Sequence, residues 1–144
     1  MKQILGLTLF VAMFLTVSVG SSLAQRAWYR GDVRQVIRNL ETDTDTFKSS
    51  LDHALDRSPL DGTKAEDEIN EYVKQFEHAT DKLKDRAEDQ KSSPYLAREV
   101  LVRGRSINGF MRRHHLGSDA DNDWVRVRND LGQLAKTYYI KWRW

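Results

Sequence analysis

The chain has 144 residues, no cysteine and a formal charge of +2. That length suits a single domain. The missing thiols exclude disulfides, thiol catalysis, iron–sulfur clusters, thiolate zinc sites and a lipid-modified cysteine, and the small net charge supplies no global field toward nucleic acid.

Residues 1–24 read as a secretory signal peptide. Lys2 is the positive start, residues 4–20 form a nearly unbroken apolar run, and Ser22-Leu23-Ala24 places small residues where a signal peptidase reads. Cleavage is expected after Ala24, with a retained N-terminal anchor as the alternative, since the run approaches bilayer-spanning length. The mature chain, residues 25–144, is then a single secreted or periplasmic domain. An oxidising compartment left unused by cysteine points to a bacterial envelope.

Four amphipathic helices follow. In the first, over about 31–57, Val33, Ile37, Leu40, Thr44, Phe47 and Leu51 recur in steps of four and three. The run from Glu41 to Thr46 is rich in residues that prefer caps and turns, so a local bend is expected there. Pro59 and Gly62 form a turn. Thr63 and Glu66 then have capping-box spacing for a second helix over 64–89, with Ile69, Tyr72, Phe76, Ala79 and Leu83 on its seam. Ser93 as cap and Pro94 as first residue open a third helix, 94–115. Gly104 lies on its buried stripe, where it lets a neighbouring helix or a large aromatic approach. Gly117 is expected at C′ of that helix. Asp119 or Asp121 caps the fourth, 120–139, with Trp124, Val127, Leu131, Leu134 and Tyr138 on its seam. Short loops between four such helices predict an all-α, up-down-up-down antiparallel four-helix bundle of coiled-coil character.

The candidate sites are weak. Met111 and His114 are possible iron ligands, and a secreted, cysteine-free bundle resembles the haem-holding cytochromes of bundle architecture. That likeness is architectural only: the family's axial ligands sit on the first and last helices, whereas Met111 and His114 share one. Asp119, Asp121, Asp123 and Asp130 have the spacing of a calcium loop, but Trp124 stands where the loop needs glycine and Asp130 replaces the bidentate Glu. His53 and His78 lie off the seams and are expected in solvent. Every acidic residue is expected on an exposed face or loop, which leaves no cleft carboxylate for acid–base work. No cofactor is expected.

The ending Tyr138–Trp144 alternates aromatics with cations. Tyr139, Trp142, Arg143 and Trp144 form a possible interaction surface, suited to a membrane interface. The competing expectation is that the tail folds back on the end of the bundle with Trp28 and Tyr29. The charge is uneven along the chain: residues 25–94 hold 12 basic and 16 acidic groups, and residues 95–144 hold 10 and 5. Packing of the two halves is expected to neutralise most of this, with a basic binding face as the alternative.

These features predict a non-enzymatic bundle with a structural or protein-interaction role, its partners being envelope proteins or a membrane surface and not nucleic acid. The alternatives are a bundle holding a small ligand in an apolar pocket beside Gly104, and a peripheral membrane or cell-wall binder using the tail.

Overall fold

The computed structural model describes residues 21–144, with residues 21–32 described by backbone alone. The signal-peptide expectation for residues 1–20, and the placement of the Trp28 and Tyr29 side chains, lie outside the described residues. Four helices follow in order: α1 Ser21–Leu55, α2 Lys64–Glu88, α3 Pro94–Arg113 and α4 Ser118–Thr137. No strand occurs among the described residues.

The seams read from periodicity are the core. Leu40 and Phe47 of α1, Ile69, Phe76 and Leu83 of α2, Val100, Ile107 and Phe110 of α3, and Val127, Leu131 and Leu134 of α4 are fully buried. Each helix packs against two others, α1 on α2 and α4, and α3 on α2 and α4. Burial of these apolar stripes at roughly 25 cal/mol per Å² is the main force that holds the helices together.

Gly104 has the role its place on the stripe predicted. A Cβ there would come within 2.7 Å of Leu131 Cδ1 and 3.5 Å of Phe76 Cε2. The space beside it is therefore filled from α4 and α2 at once.

Several boundaries differ from expectation, each for a local reason. α1 begins at Ser21 rather than near 31, because residues 21–30 contain neither proline nor glycine and continue a helix already formed. It also runs unbroken through the Thr–Asp segment. Thr42, Thr44 and Thr46 each donate to the carbonyl four residues back, at 3.1, 2.6 and 3.0 Å, so their hydroxyls find partners without leaving the helix. Thr63 is the N-cap of α2, but the reciprocal bonds of a capping box are absent. Its hydroxyl donates instead to Leu60 O at 2.6 Å, and Glu66 Oε2 accepts from the Gly62 N–H at 2.6 Å.

Ser93 caps α3 as expected, accepting from the Leu96 N–H at 3.4 Å ahead of Pro94. Gly117 is not at C′ of α3. That helix ends at Arg113 with an extended His114, and Gly117, at φ 113°, is the N-cap of α4. Only glycine adopts that backbone freely, so the chain enters α4 two residues earlier than a capping aspartate would allow. Asp119 and Asp121 fall in the first turn, where the helix dipole favours them.

Candidate functional site

The C-terminal segment is built into the molecule. α4 closes with a Schellman turn: Tyr139 sits at C′ with φ 56°, its N–H donates to Lys136 O at 3.0 Å, and the Ile140 N–H donates to Ala135 O at 2.8 Å. That turn reverses the chain. Residues 140–144 then run back over the flank of α3 and α4, not across the end of the bundle.

Side chains along this strap alternate. Tyr138 and Ile140 are buried and Trp142 is half-buried, while Tyr139, Lys141 and Arg143 are exposed. The Arg105 guanidinium of α3 stacks on the Trp142 ring at 4.2 Å and donates to Arg143 O at 2.8 Å. Trp144 meets Trp142 edge-on at 5.6 Å and Trp124 of α4 at 6.5 Å, with Arg128 stacked at 5.2 Å. Trp124 continues inward to Phe47 of α1 at 5.1 Å, and its Nε1 donates to the buried Asn108 at 3.2 Å. An aromatic chain thus links the surface strap to the core. Trp142 Nε1 is buried without a hydrogen-bond partner among the described residues, a local cost of about 1–3 kcal/mol.

A second feature was not read from the sequence. Between the C-terminal half of α1 and the first turns of α4 lies an open groove of about 880 Å³, with Ser50, His53, Arg57, His115, Asp119 and Arg126 in its walls. Its polar groups serve one another. Asp123 is bonded to Arg126, and Asp121 lies 3.8 Å from His115 Nδ1. The groove joins residues more than sixty positions apart, so no local pattern announces it.

The acidic residues correct one expectation. Asp123 is buried, and Asp130 of α4 meets Asp43 of α1 carboxyl to carboxyl, both half-buried. Burial, reinforced by the hydrogen bond and negative charge of Asp43, raises the Asp130 pKa from 3.8 to about 6. Asp43 and Asp130 flank the seams of their helices, and those flanks meet where α1 packs on α4.

The remaining candidates do not converge. Asp119 and Asp121 stand at the start of α4, Asp123 holds Arg126 and Asp130 faces Asp43. Met111 is in the core, while His114 stacks on Phe110 with ring centroids 4.4 Å apart. His53 and His78 are exposed as expected. Asp56, Asp61 and Glu66 bring carboxylate oxygens within 4.8 Å of one another at the α1–α2 turn, with one Glu66 oxygen already bonded to Gly62.

The uneven charge is only partly neutralised. Lys48–Glu77 and Lys84–Glu41 join α1 to α2. Lys82–Glu99 and Arg113–Glu68 join α2 to α3. No helix among the described residues is long and apolar enough to cross a membrane. Neither family models, nor curated proteins, nor solved structures give a match to the chain.

Proposed function

We propose that this chain is an exported, non-enzymatic bundle that acts through its surface, in protein contacts or a structural role in the envelope. The observation that carries this reading is the filled interior at Gly104, where Leu131 and Phe76 occupy the space an apolar ligand would need. Four helices in a ring of neighbours, joined by short turns, support up-down-up-down antiparallel topology. Lys2, the apolar run and Ser22-Leu23-Ala24 support export with cleavage after Ala24.

The test is native and intact mass spectrometry of protein recovered after export. A mature chain beginning at Gln25 with no retained small molecule is the expected result. A co-purifying ligand sinks the surface reading, and a retained residue 1 sinks the cleavage.

The polar groove between α1 and α4 favours a second reading, a small polar ligand. Metabolite pools that raise the melting temperature of the wild type, but not of His53→Ala, would support it.

A further inference from the structure

The exposed face of α3, taken with the outward side of the strap, carries a run of cations that the fold leaves unneutralised. Arg98, Val102, Arg105, Gly109 and Arg112 recur at helical spacing and form one stripe. Arg105 is where the strap lies against this stripe. Strap alternation turns Ile140 and Trp142 inward, and Lys141 and Arg143 outward beside the stripe. Arg98, Arg112, Lys141 and the Arg143 side chain have no ion-pair or hydrogen-bond partner among the described residues.

The acids of this half are committed elsewhere. Glu99 is paired with Lys82 of α2, Asp130 with Asp43 of α1, and Asp123 with Arg126. Asp119 and Asp121 belong to the first turn of α4.

The same face exposes apolar and aromatic groups: Tyr95 is 72% exposed, Val102 51% and Tyr139 86%. An anionic polymer needs only the cations. Rings and an aliphatic side chain set among cations suit a bilayer interface, where the rings sit at headgroup depth and the cations meet lipid phosphates.

We propose that the α3 stripe and the outward edge of the strap form a docking face for an anionic lipid bilayer. This rests on the surface-acting reading above and names the partner of that surface. Trp142 and Trp144 are not the inserting groups, because they hold the strap in place; Lys141, Arg143 and the α3 arginines make the contact.

The experiment is co-sedimentation of the exported protein with vesicles of phosphatidylglycerol and phosphatidylcholine, and with phosphatidylcholine alone. Binding to the mixed vesicles that falls steeply by about 0.5 M salt is expected. The triple variant Arg98→Glu, Arg112→Glu, Lys141→Glu should bind at least about tenfold less with an unchanged melting temperature, because none of the three side chains makes a contact. A control with the same change in charge, Lys64→Glu, Lys74→Glu, Lys91→Glu, should bind more tightly than that triple variant. Equal loss in the two variants would overturn the face in favour of net charge. Equal binding to neutral vesicles, or binding to soluble polyphosphate as tight as to vesicles, would overturn the bilayer. Failure of this kind with a ligand-free mature chain in the mass spectrum leaves the broader surface reading standing; a retained ligand removes that reading whatever the vesicles do.

Discussion

The α1–α4 seam and the α3–α4 seam are closed in different ways. α1 and α4 pack in the most extensive contact of the bundle, whereas α3 and α4 touch one another least of the four neighbouring pairs. On the second side the chain uses the strap. Ile140, Trp142 and Trp144 cover the flank that the helices leave, held by Arg105 on α3 and by Trp124 and Arg128 on α4. Regular helical packing closes one seam, then, and an irregular aromatic segment closes the other. The first should resist perturbation more than the second.

The largest effect should come from the residue common to both seams. Trp124→Ala removes the ring between Phe47 and Trp144 and leaves Asn108 without its donor. A loss of about 3–5 kcal/mol is expected in urea unfolding, and a loss below 1 kcal/mol would mean that the two seams are not joined there.

Next comes the α3–α4 side alone. Deleting residues 139–144 should cost about 2–4 kcal/mol, from the apolar area exposed, while far-UV ellipticity stays near wild type because all four helices remain. Loss of helicity in that deletion would make the strap part of the fold rather than a cover.

Gly104→Val tests the closest approach between α3 and α4. Its Cβ would collide with the fully buried Leu131, and overpacking of this kind costs about 1–3 kcal/mol. A neutral result in thermal melts would show that Leu131 has room to turn away.

The smallest effect concerns the tight seam and has the opposite sign. Asp130 ionises at about 6 in the folded chain, against 3.8 for the unperturbed side chain. Between those values the folded state keeps a proton that the unfolded state has released. Stability should therefore fall as pH rises from about 4 to about 6 and stay lowered above. Asp130→Asn should remove that slope and add about 1 kcal/mol at pH 7, the full shift being discounted for solvent screening at a half-buried site. A parallel pH–stability profile for wild type and variant would contradict this.

How much of this was legible in the sequence follows from the range of each interaction. The four seams were, because Ile37, Phe76, Ile107 and Leu131 each repeat with neighbours three and four residues away. Gly104 was legible for the same reason, as a gap on a buried stripe. Caps were legible by position but not by partner, since the Thr63 hydroxyl had a carbonyl within reach in the preceding turn. The strap left a signal that helical reasoning passes over: Tyr138, Ile140, Trp142 and Trp144 alternate with Tyr139, Lys141 and Arg143, the period of an extended chain with one side covered. The Asp43–Asp130 pair and the α1–α4 groove were not legible at all. Both are made by which helices become neighbours, and no local spacing encodes that choice.

The tryptophan cluster has an optical consequence. Of the four tryptophans in the chain, Trp124, Trp142 and Trp144 stand in edge-on or near contact at one place. Rings so close exchange excitation and give strong near-ultraviolet ellipticity, and both change when the rings separate. The molecule thus carries its own chromophore for the state of its strap, and a shift in emission with unchanged helicity would read the strap lifting while the four helices stay folded.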